Sequence, residues 1–154
     1  MKPELEVLTD IIQHIAEVQE NLAQIRFELE KRGYAHDRTK YLEEEFDAFV
    51  ETRPKFKNAD YGSKEYQACV DQIQPAIDHH YKNNRHHPAY HKNGFADMNL
   101  IDILEMLADW KAASRRSNNL SFEESLPIAF EKYSIPKNMQ QHIINTLKYL
   151  GWIN

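Results

Sequence analysis

Apolar residues in this chain recur at helical spacing, and no strand-length segment alternates apolar with polar residues, which favours helices throughout. The first segment has this spacing at Leu5, Leu8, Ile12, Ile15, Leu22 and Ile25. It predicts a helix from Pro3 to Arg32, with Gly33 as its left-handed stop. Glycine is scarce, with four in the 154 residues, so strand-forming turns have little support. We therefore predict an all-α fold.

Start and stop signals divide the rest of the chain into further helices. Residues 41–49 predict a short second helix, and residues 51–62, which include Pro54 and Gly62, predict a loop. Later helices are predicted to begin at Ser63, Asn99, Ser121 and Pro136, the last of them ending at Gly151. No linker-like segment appears, and 154 residues with 42% apolar content suit one core. The prediction is a single compact helical bundle over residues 1–154.

Charge and cysteine content restrict the class of protein. A net charge of −5 argues against a non-specific nucleic-acid binder, which needs a basic surface, but it leaves small anionic substrates open. The single Cys69 forms no internal disulfide and excludes a zinc site built from several thiolates. The N-terminal segment lacks a secretion-type apolar run, and no stretch of about 18 apolar residues occurs. We expect a cytoplasmic protein that is not membrane-embedded and whose oligomeric state is open.

The densest chemical signal is a run of histidines, because five of the eight fall between positions 79 and 91. Grouped imidazoles repel one another when they are protonated, so such a run indicates a metal site. His80, His86 and His87 are the candidate ligands, and His79 and His91 are expected to be spectators. A polar surface loop or an adventitious metal binder is the plainer alternative for this segment.

His80 and His87 would share one helix face, two turns apart, if the helix continued through them. Asn83-Asn84 and Pro88 predict a break instead.

Further candidate ligands lie outside this run. His14 borders the apolar face of the first helix, and the His36-Asp37 doublet follows soon after that helix ends. The plainer interpretation of Asp37 is a cap for the next helix. Lys40 lies three residues beyond Asp37, where its ammonium could hold a phosphate. Asp109 shares a helix face with Asp102 and Glu105, and periodicity alone predicts that this face is exposed to solvent.

The order of these residues resembles the HD-domain superfamily of all-α, metal-dependent phosphohydrolases. More narrowly, three blocks of the chain look like an uncharacterised family of short phage and bacterial HD-like proteins. These blocks are residues 36–40, 80–88 and 108–110. The resemblance implies that one divalent ion, of Mn, Fe, Co, Ni or Zn, is held by His14, His36, Asp37 and Asp109. It further implies that His80, His86 and His87 bind a second ion or the leaving phosphate.

The activity implied is hydrolysis of a phosphoester in a nucleotide or a related small molecule. The ion would activate water, Asp37 would orient it, and Lys40 and Arg85 would bind the substrate and neutralise developing charge.

Two departures from the HD pattern support an alternative function. Lys40 stands where HD nucleotidases carry a glutamate, and Ala89 stands where the narrower family often has an acid. Both favour a non-catalytic binding module with a structural metal, such as a phage-encoded protein that interferes with a host pathway. A histidine-based pH sensor is a third alternative.

Overall fold

The computed structural model describes residues 3–59, 63–115 and 120–154, and all regular structure in these ranges is helical, which confirms the all-α prediction. The six α-helices are α1 (Pro3–Ala35), α2 (Glu43–Asn58), α3 (Lys64–Asn83), α4 (Leu100–Ser114), α5 (Phe122–Lys132) and α6 (Lys137–Tyr149). Short 3-10 helices span Arg38–Tyr41, Pro88–Tyr90 and Gly94–Asp97. The chain divides into two units, residues 1–36 and 37–154. A single domain over residues 1–154 stays a prediction.

The first unit is essentially the helix α1. This helix begins at Pro3 as predicted, but it continues through Gly33 to Ala35, so the predicted stop at Gly33 was wrong. The left-handed residue comes later, at Asp37, with φ 56°. Aspartate tolerates this conformation better than most residues, because its short polar side chain forms local hydrogen bonds. None of the residues of α1 is buried.

The predicted loop after residue 50 was wrong over most of its length, because α2 runs through Pro54 to Asn58. Proline removes one backbone hydrogen bond, and here the tertiary contacts of α2 outweigh that loss. Thr52 is completely buried, and the ring of Phe56 packs edge-on against Tyr66 of α3, with centroids 5.3 Å apart. Residues 60–62 of the predicted loop lie outside the described residues.

The predicted capping residues are confirmed at three helix starts. Ser63 accepts a hydrogen bond from the backbone of Tyr66 at the start of α3. Asn99 and Ser121 each begin a reciprocal capping box, at α4 and α5 respectively. Pro136 precedes α6, and Gly151 follows it with a positive φ of 66°.

The hydrophobic core of the second unit joins α4, α5 and α6. Its most enclosed side chains are Leu147 of α6 and Met106 and Leu107 of α4, with 0%, 1% and 2% exposure. Aromatic side chains of α5, Phe122 and Phe130, complete the same cluster. This packing fixes α4, which carries two carboxylates of the site described below. None of the described helices is long and apolar enough to cross a membrane.

Candidate metal centre

One carboxylate and three imidazoles converge in the second unit. Asp37, His80, His86 and His87 each offer one ligand atom, and these atoms lie within 4.8 Å of one another. Asp37 Oδ1 is 3.2 Å from His80 Nε2 and 3.4 Å from His86 Nε2. Two ligands bound about 2.0–2.2 Å from one ion lie roughly 3.0–3.5 Å apart. The two distances from Asp37 Oδ1 therefore suit a shared divalent cation.

The chain brings these residues together through the end of α3. That helix ends at Asn83, which agrees with the predicted break. A turn follows, in which the His87 amide donates a hydrogen bond to the Asn84 carbonyl at 3.1 Å. The turn reverses the chain and brings the His87 ring beside the His80 ring, with their centroids 4.8 Å apart. Asp37 occupies the cap position of the 3-10 helix Arg38–Tyr41, but its side chain makes no capping bond. The capping interpretation of Asp37 therefore does not describe its side chain.

His80 is oriented by a completely buried carboxylate. Glu45 Oε2 lies 2.8 Å from His80 Nδ1, while Oε1 lies 2.8 Å from His79 Nδ1. A carboxylate at this distance places the proton on Nδ1, so Nε2 presents its lone pair towards Asp37. Carboxylate–histidine pairs of this kind set the tautomer and raise the basicity of metal-binding histidines.

His86 is 1% exposed and has a similar arrangement with two carboxylates of α4. Glu105 Oε1 is 3.2 Å from His86 Nδ1, and Asp109 Oδ2 is 3.8 Å from His86 Nε2. The prediction of a solvent-facing surface was wrong for this side of α4, because Asp102, Glu105 and Asp109 side chains are only 0%, 9% and 19% exposed. The α4 face covers the histidine segment instead.

His87 completes the group as a neutral ring. Its Nε2 is buried and has no hydrogen-bond partner among the residues that the structure describes. Burial, and then the neighbouring rings of His86 and His80, lower the pKa of His87 to about 3. The ring is therefore uncharged at neutral pH, which is the form that coordinates a cation.

We expect the substitution Glu45→Gln to weaken divalent-metal binding about 10- to 100-fold, the usual effect of losing a partner that orients a ligand. The change keeps the side-chain shape but removes the charge that holds His80 in its tautomer. Isothermal titration with Mn²⁺ or Zn²⁺ measures the affinity. Glu44→Gln, at the exposed neighbouring position, is the matched control. Equal affinities for both variants would contradict an orienting role of Glu45.

The two expected substrate cations differ in their surroundings. Lys40 forms an ion pair with Asp37 Oδ2, which places its ammonium beside the ligand group. Arg85 instead makes two hydrogen bonds to the buried Asp102, at 3.2 and 3.0 Å, and lies over the Tyr90 ring. This pairing holds the histidine segment against the start of α4, and the expected role of Arg85 in substrate binding stays a prediction.

The first unit contains the other two expected ligands. His14 is exposed in the middle of α1, about 32 Å along the helix from Ala35 at 1.5 Å per residue. One ion therefore cannot bind both His14 and the His36-Asp37 doublet of the same chain, which corrects the implied ligand set. His36 is the last residue of this unit and directly precedes Asp37.

The expected spectators lie outside the group of four. The ring of His79 bonds Glu45, and the ring of His91 donates to the Arg85 carbonyl at 2.9 Å.

Sequence reasoning missed Glu45 and Glu105. Glu45 follows two other glutamates at the start of α2, so it resembled an ordinary N-terminal charge. Glu105 did carry a usable signal, since it lies one helical turn before Asp109. Because metal-bound imidazoles usually donate to a carboxylate, an acid on the same face as Asp109 was a candidate partner for the histidines.

A protein-family model described as "Family of unknown function (DUF5662)" matches residues 4–149. No curated protein matches the chain, and no solved structure does.

Proposed function

The chain belongs to the DUF5662 family, and we propose that it is a metal-dependent phosphohydrolase of the HD type that acts on a nucleotide or a related small phosphoester. The observation that carries the proposal is the position of Asp37 Oδ1, within 3.4 Å of the Nε2 atoms of both His80 and His86. Each imidazole is supported from behind by a carboxylate, Glu45 or Glu105. Such support is characteristic of metal ligands rather than of surface histidines.

The chemistry of the ligand atoms favours catalysis over a purely structural ion. Mixed nitrogen and oxygen ligands suit Mn, Fe, Co, Ni and Zn, whereas closed structural zinc sites are usually rich in thiolates. Asp37 and Asp109 are each 19% exposed, so the rim of the group is accessible to water. The chemistry that such an ion would supply when bound is a lowered pKa of water and a polarised phosphoryl oxygen. The proposed role of His36 as a ligand rests on the HD resemblance alone.

The surrounding side chains have separate roles in this proposal. Asp37 would hold the ion, and its Oδ2 contacts Lys40. Lys40 would neutralise charge on the phosphoryl group, Asp37 would orient the attacking water, and Asp109, whose Oδ2 lies 3.8 Å from His86 Nε2, would join the ligands of the ion. The choice of a nucleotide as the substrate is based on the HD resemblance. The choice of a phosphorylated substrate is based on the proposed ion and on Lys40.

Metal analysis followed by a phosphate-release screen tests the proposal. Protein purified without added ions is expected to carry one or two equivalents of a transition metal by plasma mass spectrometry. After chelation and reloading with Mn, Co, Ni, Zn or Mg, it should release phosphate from at least one nucleotide or from p-nitrophenyl phosphate. His142→Gln, at an exposed position of α6, is the control and should retain metal and activity. Absence of both bound metal and phosphate release rejects the proposal.

A second candidate function is a binding module with a structural metal. It is favoured by the ion pairs of Lys40 and Arg85, because Asp37 and Asp102 already balance the two charges proposed for substrate. Substitution of His36 or Asp37 separates the two functions. An enzyme loses turnover while it stays folded, whereas a module loses thermal stability together with its metal.

A reducing, cytoplasmic location is part of the proposal. It is supported by Cys69, the single cysteine of the sequence, which is buried and free.

A further inference from the structure

The helix α1 exposes a continuous apolar seam. Seven residues form it, spaced alternately three and four apart: Leu8, Ile11, Ile15, Val18, Leu22, Ile25 and Leu29. From Leu8 to Ile25 they are 42–59% exposed, and none of the described residues of α1 is buried. Large aliphatic side chains in an unbroken row this long are rarely left in water, so the seam indicates a binding surface.

The spacing of the seam specifies the kind of partner. An average repeat of 3.5 residues keeps the apolar row on one side only if helices wind around each other with a left-handed supercoil. In this repeat Leu8, Ile15, Leu22 and Leu29 occupy the a positions, and Ile11, Val18 and Ile25 occupy the d positions. We propose that α1 binds the α1 helices of further copies of this chain, in a parallel coiled coil of three or four strands.

Buried area and flanking charge favour copies of the same chain as the occupant. When two seams pack against each other, their fourteen side chains bury on the order of 1,000 Å² of apolar surface. This area is close to the minimum for a specific interface. In a bundle of three or four helices, each helix buries a larger apolar area than it does in a pair. Between parallel copies the flanking g and e residues meet as Val7 with Ile12 and as Asn21 with Arg26, so no like charges oppose each other.

The residues in the seam also predict the number of copies. β-branched residues occupy all the d positions, and leucine occupies three of the four a positions. In parallel coiled coils this distribution disfavours two strands and favours three or four. The apolar flanks Leu5, Val7 and Ile12 widen the seam near its start, as needed when each helix contacts two neighbours. A simple dimer would leave these flanks exposed.

The parallel direction follows from the same flanks. They are apolar near the start of α1 and polar or charged further on, at Arg26 and Glu28. Parallel copies place apolar flanks beside apolar ones. Antiparallel copies would set Leu5 beside Arg26 and Val7 beside Glu28, which removes water from a charge without compensation.

Analytical ultracentrifugation of the full chain at about 10–100 µM tests the assembly. The wild-type protein is expected to sediment at three or four times the chain mass of 18.2 kDa. The double variant Ile15→Lys, Leu22→Lys should fall three- to four-fold in mass, to one copy. The matched double variant Gln13→Lys, Gln24→Lys adds the same charge on the opposite face of α1 and should keep the wild-type mass.

A second measurement shows whether the rest of the chain stays folded. Both tryptophans, Trp110 and Trp152, lie in the second unit, so their near-ultraviolet dichroism reports on that unit alone. The seam variant should keep this signal while it loses mass. A wild-type mass of one or two copies overturns the proposal. So does a seam variant that keeps its mass or that loses the tryptophan signal, since the latter means that the seam packs within its own chain.

Disulfide trapping tests the direction. Leu22→Cys in a Cys69→Ser background should give a covalent pair on oxidation, because parallel copies place the two sulfurs in one layer. Efficient trapping of Leu22→Cys only with a partner that carries Ile11→Cys would instead show antiparallel copies and overturn the parallel arrangement.

Discussion

Asp37→Asn is expected to reduce divalent-metal affinity by more than about 100-fold and to bring phosphate release below detection. This loss should be larger than the loss caused by removing a carboxylate that only orients a ligand, such as Glu45. Asp37 supplies the oxygen nearest to both His80 Nε2 and His86 Nε2, and asparagine replaces that anionic ligand with a neutral amide. Asparagine also tolerates the left-handed φ of 56° at this position, so the backbone should be preserved. Titration calorimetry and the phosphate-release assay measure the two effects.

The matched control is Asp47→Asn, at an exposed position of α2. It changes the same charge away from the site and should leave metal affinity and turnover unchanged. An Asp37→Asn protein that still binds metal with wild-type affinity would show that the four residues do not form a metal centre. Loss of metal together with a large drop in melting temperature would favour the binding module over the enzyme.

Leu147→Ala is expected to lower the free energy of unfolding by about 2–5 kcal/mol. Leu147 is completely buried in the core shared by α4, α5 and α6, so truncation loses burial energy and leaves a cavity. The effect should reach the site, because α4 carries Glu105 and Asp109. Urea denaturation followed by tryptophan fluorescence measures the change.

Leu100→Ala is the control for this prediction, since Leu100 is 69% exposed at the start of α4. A surface substitution of this kind usually changes stability by less than about 0.5 kcal/mol. Equal destabilisation by both variants would contradict the assignment of Leu147 to the core.

Local signals predicted helix starts well, because a cap depends on neighbours within one turn. Ser63, Asn99 and Ser121 were identified for that reason. Helix ends were less predictable. Gly33 permits a left-handed turn without requiring one, and Pro54 weakens a helix without ending it when packing opposes the loss. The bounds of α1 and α2 therefore depended on forces beyond the local sequence.

The candidate site was predicted in part. Asp37, His80, His86 and His87 were recognised by residue type and order, and the structure brings ligand atoms of all four together. Glu45, the carboxylate that orients His80, could not be found in this way. Glu45 reaches His80 only because α2 packs along α3, and Arg85 is committed to Asp102 by a tertiary contact. Their roles follow from packing between helices, which no short motif encodes.

The turn at Asn84 has a consequence for the dynamics of the site. It places His80 before the end of α3 and His87 after it, so a cation bound to both rings would act as a crosslink across that end. Helix termini ordinarily fray, and their amide protons exchange quickly with solvent. Metal loading would therefore slow hydrogen exchange locally around Asn83 and Asn84, giving a readout of occupancy that is independent of catalysis.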